Sequence, residues 1–194
     1  MKTTKVPSIL KNEKVQTAIM LAVAVLGFIA FWYGLRAAFR TEHPLMAVAS
    51  GSMRDTLEVG DLIVVQGGLS GSEIQAAPRD ADPPGDIIVF PGGRLGRPGE
   101  LIVHRAVSSE FVDGLWYFKT KGDANQATDP GEVRETDIVG KVAYRVPFLG
   151  WPNLFLQTNQ GKLLIVIILA ILVVVEFVPF PKKEEDEQNR TKPL

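Results

Sequence analysis

Cysteine is absent from this 194-residue chain, and histidine occurs only twice. The first absence excludes disulfides, thiolate metal sites and a cysteine nucleophile. It leaves the redox compartment open, because a cysteine-free domain serves on either side of a membrane. The second leaves His43 and His104 as the two imidazoles on which acid–base chemistry can draw. A surplus of either charge is also missing: 21 Lys and Arg stand against 22 Asp and Glu, a formal net charge of -1. Nucleic-acid binders usually carry a basic excess, so no nucleic-acid partner is expected. No internal repeat is present.

What the chain does have is concentrated hydrophobicity. Ala18 to Leu35 is an 18-residue run without charge. As a helix it is about 27 Å long, close to the hydrocarbon thickness of a bilayer. Phe31, Trp32 and Tyr33 lie at its far end, where amphipathic rings favour the membrane interface. A cleaved signal peptide is the competing reading; the run is longer than a usual signal-peptide core. A second apolar run, Leu163 to Val175, is broken by Glu176 and resumes at Phe177 to Phe180. It reads as a second span or as a half-buried interfacial helix.

Lys2, Lys5, Lys11 and Lys14 precede the first run, and only Arg36 and Arg40 follow it closely. Lys162 precedes the second run, and Lys182 and Lys183 follow it. Both comparisons place the termini in the cytoplasm. The expected layout is therefore a cytoplasmic segment 1–16 and a transmembrane helix 17–39. An extracytoplasmic β domain follows at 40–161, then a second transmembrane helix 162–180 and a cytoplasmic tail 181–194. The tail, with Glu184, Glu185, Asp186 and Glu187 in a row, reads as solvated.

The middle of the chain predicts a mainly β fold. Leu62–Val65, Ile87–Phe90, Leu101–Val107, Trp116–Lys121 and Ile138–Val146 are short β-rich runs between Gly, Pro and Asp clusters. That pattern suits a barrel or sandwich. Residues 67–84 and 91–100 read as surface excursions without a chemical motif.

Three short stretches carry polar groups suited to chemistry. His104 lies within an apolar β run, where its ring needs a partner; a satisfied structural histidine is the plain alternative. His43 sits beside the first apolar run, before Pro44, and reads as a solvated surface residue. Ser50-Gly51-Ser52-Met53 allows a tight backbone path, yet a serine hydroxyl needs a base beside it to act as a nucleophile. Lys121-Gly122-Asp123-Ala124-Asn125, with Asp129 beyond, reads as a polar loop or as the source of a carboxylate that orients an imidazole. Two acids and an amide there could hold a hard cation, but their spacing matches no known cation-binding loop, and no cofactor is expected.

Taken together and in order, SGSMRDTL (50–57), GDIIVF (85–90), IVHR (102–105) and KGDANQATD (121–129) resemble the successive boxes of type I signal peptidases. GKVAYRVPFLG (140–150) is similar to the segment leading to the second anchor in archaeal members. Bacterial-type members carry a lysine base where His104 stands; histidine there marks the archaeal and endoplasmic-reticulum type. The resemblance implies a membrane-bound serine endopeptidase that removes signal peptides from preproteins. Ser52 is then the nucleophile, His104 the general base and Asp129 the acid of the triad. Asp123 is a second important acid, and Ser50 joins the Ser52 amide in holding the oxyanion. The implied partners are signal peptides, the lipid bilayer of the cell membrane and the protein translocation machinery. Asp55 departs from the family, which usually has proline there, and puts a carboxylate near the site. Ala124 stands where many members have asparagine. Two other readings follow from the residues: an inactive membrane-anchored β binding module, and a Ser–Lys protease with Lys119 or Lys121 as base. Met46, Val48 and residues 148–155 are candidates for a lipid-facing rim, with core packing as the alternative.

Overall fold

The computed structural model describes residues 13–177. The lysines at 2, 5 and 11 and the tail from 181 lie outside the described residues, as does the Phe177–Phe180 run beyond its first residue. The chain divides into two units, which meet between Trp151 and Pro152.

The first unit opens with α1, Glu13–Phe39. Its segment Val15–Phe39 is long and apolar enough to cross a membrane, and none of it is buried within the protein. Met20, Leu26, Phe28 and Phe31 all point away from any protein contact that would bury them. An all-round apolar helix with no packed face suits a lipid solvent far better than water.

Seven strands then form one antiparallel sheet. They are β1 (Leu45–Ala47), β2 (Leu62–Gln66), β3 (Ile87–Pro91), β4 (Leu101–Val112), β5 (Leu115–Lys121), β6 (Val133–Arg134) and β7 (Gly140–Val146). Their spatial order is β1-β2-β7-β3-β4-β5-β6. The mainly β domain expected from the sequence is therefore present, with helices before and after it in the chain. Two strands were not foreseen, β1 and β6, and they are the two shortest. β4 runs five residues past its expected end at Val107. It continues into a hairpin with β5 through Asp113-Gly114, both at positive φ, 51° and 82°. That is the backbone twist a two-residue Asp-Gly turn supplies.

Alternation along the strands sorts the core into two clusters. Ile88, Phe90, Ile102, Ala106, Phe118 and Val133 join Ile74 in one. Val89, Ile63 and Val65 join Val48, Met53 and Leu57 in the other. Ile88 and Phe90 thus face away from Val89, as the two-residue period of a strand requires. Ile74, within the expected surface excursion 67–84, is 6% exposed and belongs to the first cluster. Val48 is buried in the second cluster, and the half-buried Met46 packs against it. Phe148, Leu149 and Trp151 are exposed.

The second unit holds α2 (Trp151–Gln157) and α3 (Asn159–Phe177), bent by 87°. Thr158 makes the corner. Its hydroxyl accepts the Gly161 N–H at 3.0 Å, capping the first turn of α3. α3 therefore starts three residues before the expected 162. The described residues hold one straight helix that is long and apolar enough to span, and α2 with α3 pass that test only as a bent pair.

Candidate active site

The nucleophile candidate lies in the connection between β1 and β2. Met53 and Leu57, 1% and 2% exposed, anchor this loop in the core. The Leu57 N–H donates to the Met53 carbonyl at 2.8 Å and the Arg54 N–H to the Gly51 carbonyl at 3.2 Å. The backbone thus turns tightly around Ser52. A third tie comes from the loop after β5, where the Ala124 N–H donates to the Ser52 carbonyl at 2.9 Å. Gly122 makes that approach possible: a Cβ there would lie 2.6 Å from the Ser52 carbonyl oxygen.

His104 is the fourth residue of β4, opposite Ile88 of β3. It shares its face with Ile102 and Ala106, and Phe90 meets its ring edge-on at 6.5 Å between centroids. Its Nε2 lies 3.0 Å from Ser52 Oγ, and its Nδ1 lies 2.5 Å from Asp129 Oδ2. Both partners of that second contact are about nine-tenths buried. Burial opposes a charge on Asp129, but hydrogen bonds from His104 and from the Thr120 hydroxyl outweigh it and hold its pKa below the ordinary aspartate value. An ionised Asp129 accepts from Nδ1–H, so the ring proton belongs on Nδ1. Nε2 then presents its lone pair to the Ser52 hydroxyl. Ser50 Oγ stands 3.3 Å from Ser52 Oγ on the open side. The fold thus brings Ser50, Ser52, His104 and Asp129 together.

Asp123 is not in that chain of contacts. Its carboxylate takes a two-pronged bond from Arg105, Nε at 2.8 Å and the terminal nitrogen at 2.6 Å, and a third from the Thr56 hydroxyl at 2.6 Å. The Arg105 and Asp123 side chains are 5% and 2% exposed. Burial disfavours the Asp123 charge, yet these bonds and the guanidinium charge leave its pKa lowered. Asp123 therefore ties three parts of the site: the residue after His104, the loop after β5 and the loop that carries Ser52. Arg105, Thr56 and Thr120 were not foreseen as site residues. A signal for Arg105 existed, since a charge inside an apolar strand requires a buried partner.

The structure also places Asp55. Asp55 does not turn toward His104; it pairs with Arg79 at 3.4 Å on the surface. Its φ is +72°, a left-handed conformation that proline, fixed near -65°, cannot adopt. The loop after the nucleophile is therefore built for a residue other than proline. The Asp123 and Asp129 carboxylates each have a protein partner, Arg105 and His104. Among the described residues no group of three or more His, Asp or Glu is placed to hold a metal ion. His43 lies at the surface, its N–H donating to the Thr41 hydroxyl at 3.3 Å.

Ser52 and His104 open onto a cleft of about 610 Å³. Met46, Val48, Leu101 and Val103 give it apolar walls, and Asn125, Arg97 and Glu100 give it polar ones. Lys119 and Lys121 do not line it. On β5 it is Phe118 and Thr120 that face inward, and Lys119 points to solvent.

A hydroxyl, an imidazole and a carboxylate bonded in series beside an open cleft form the constellation used by serine hydrolases. No protein-family model matches the chain. It is similar, however, to curated proteins named signal peptidase complex catalytic subunit SEC11. The one from Eremothecium gossypii is 30% identical over 139 residues, 67% of this chain and 75% of the relative. The one from Tuber melanosporum is 28% identical over 180 residues, 88% of this chain and 92% of the relative. The one from Dictyostelium discoideum is 28% identical over 176 residues, 86% and 91% of the two chains. The chain belongs to the signal peptidase I family of the endoplasmic-reticulum type.

Proposed function

We propose that this protein is a membrane-anchored serine endopeptidase that removes signal peptides from exported preproteins. The observation that carries the proposal is the uninterrupted path from Ser52 Oγ through the His104 ring to Asp129, at 3.0 and 2.5 Å. Ser52 Oγ attacks the scissile carbonyl carbon while His104 Nε2 takes its proton. Asp129 stabilises the imidazolium. The Ser52 backbone N–H and the Ser50 hydroxyl hold the tetrahedral oxyanion. Collapse breaks the peptide bond, and the leaving amine takes the proton from Nε2. A water deprotonated by His104 then hydrolyses the acyl ester and frees Ser52. Asp123 acts through the loops it ties and touches no reacting atom.

Placement supports histidine as the base over either lysine, since Lys119 and Lys121 lie outside the cleft. Placement also supports an active enzyme over an inactive binding module, because three polar groups meet in a site that packing alone does not require. The apolar walls of the cleft suit short side chains on the substrate, in keeping with the small residues that the family resemblance implies at the first and third positions before the cut. α1 is the anchor, and the charge bias of its flanks puts the β domain outside the cytoplasm, with 1–16 and 181–194 inside. Residues 162–177 of α3 are the described part of the second membrane segment. The setting is a cell membrane, beside the protein translocation machinery. Tethering holds the cleft where an emerging signal peptide is presented, which raises effective concentration.

The test is cleavage of a preprotein by detergent-solubilised full-length protein, with the new N-terminus sequenced. Parent protein is expected to release a mature chain after a small residue, and the Ser52→Ala variant to release none above background. Equal cleavage by the two removes the serine mechanism.

A further inference from the structure

Thr120 lies one strand away from His104 on the same face of the sheet, opposite Ala106 in the β4–β5 pairing. Its side chain is buried, at 2% exposure for the residue. It grips Asp129 twice. The Thr120 hydroxyl donates to Asp129 Oδ2 at 2.7 Å, and the Asp129 N–H donates to the Thr120 carbonyl at 2.8 Å. Oδ2 is also the oxygen that takes the His104 Nδ1–H. One carboxylate oxygen therefore serves two donors, and the second comes from a residue that does not line the substrate cleft.

We infer that Thr120 is a positioning residue of the catalytic machinery, holding the Asp129 carboxylate against the imidazole and setting how tightly the His104–Asp129 pair keeps a proton. The inference rests on the reading of Ser52, His104 and Asp129 as the working triad. Its physical basis is the competition at Oδ2. A hydroxyl donating to a carboxylate disperses its negative charge and lowers its proton affinity. It also removes one rotational freedom from a carboxylate that must stay in line with Nδ1. Without the hydroxyl, Oδ2 keeps a single donor in a site largely shielded from water, and the pair binds a proton more readily.

The arginines around Asp129 are already committed. In the cavity of about 280 Å³ behind it, Arg94 and Arg134 both bind Asp137, at 3.2 and 3.1 Å, and Arg94 also donates to the Glu132 carbonyl. Glu132 lines that cavity too. On the cleft side Arg97 and Glu100 pair with each other at 3.8 Å. Thr120 is therefore the neutral group that most directly modulates the carboxylate.

The experiment compares full-length Thr120→Val, Thr120→Ser and parent protein on a preprotein substrate across pH, with His104→Ala as control. Thr120→Val keeps the shape and removes the donor. It is expected to lower kcat about tenfold and leave KM within about twofold. The acid limb of kcat is expected to rise by about one pH unit, the scale of a hydroxyl–carboxylate bond. Thr120→Ser is expected to restore both. The position of the limb does not depend on how much folded enzyme is recovered, so it reads the site even where yield falls. An unmoved limb in Thr120→Val overturns the inference, as does a serine variant that matches valine in both readings. Full activity in His104→Ala overturns instead the triad on which the inference rests.

Discussion

Replacing His104 with alanine is expected to lower preprotein cleavage by at least about a thousandfold, with substrate affinity little changed. The ring lies between Ser52 and Asp129, with one nitrogen committed to each. Alanine removes the proton acceptor and leaves the Asp129 carboxylate without its main partner. Lys119→Ala and Lys121→Ala are expected to stay within a few-fold of parent, because neither side chain lines the cleft. Residues that act as one unit do not add. The Ser52→Ala, His104→Ala double variant should therefore be no slower than either single one. A large loss in a lysine variant, with His104→Ala active, would instead identify a lysine base.

The second large effect is on stability. Arg105→Ala is expected to cost about 3–5 kcal/mol, because it leaves the Asp123 carboxylate charged and buried without its two-pronged partner. At roughly 2–4 °C per kcal/mol for a protein of this size, the melting temperature should fall by about 10 °C. Asp123→Asn should fall less, since the amide still meets Thr56 and part of Arg105. The pH dependence has a definite sign. Asp123 has a lowered folded-state pKa, so its contribution is present above the ordinary aspartate value near about 4 and is lost as pH falls below it. Asp129 and Asp61 carry shifts of the same direction. Asp123→Asn should therefore flatten the acid slope of stability without abolishing it. Thermal melts of parent and both variants, taken from neutral pH down to about pH 3, measure this. Equal acid slopes in parent and Asp123→Asn would show that the carboxylate draws no stability from its partners.

Much of this architecture was legible in the residues, for reasons that can be named. The five longer strands announce themselves through β-branched runs between Gly and Pro clusters. β1 and β6 do not, because three and two residues carry no usable period. The far half of β4 was missed because Ser108-Ser109-Glu110 is polar, although the Asp113-Gly114 turn marks the hairpin that keeps it extended. Met46 and Val48 suit a lipid rim or the core equally by composition; in the fold both pack at the second core cluster.

The site divides in the same way. Ser52, His104, Asp123 and Asp129 were singled out by the order of short motifs. Which acid meets the imidazole follows from the family resemblance, which points to Asp129, and not from the residues alone. Both lie on one loop after β5, six residues apart, and only the folded path of that loop separates them. Asp129 is drawn to His104 by the backbone bond to Thr120, and Asp123 to Arg105 by a strand in which neighbouring residues point apart. The fate of Asp55 was equally hidden, because a positive φ and a surface partner at residue 79 are properties of the fold.

The absence of cysteine offers the most direct measurement of the central claim, proton transfer between residues 52 and 104. Ser52→Cys places a single thiol in the chain, and its alkylation rate against pH reports its thiolate. With His104 present, a thiolate should form well below the ordinary cysteine value of about 8.5. In the His104→Ala background its titration should return toward that value. Superimposable alkylation profiles in the two backgrounds would contradict the account.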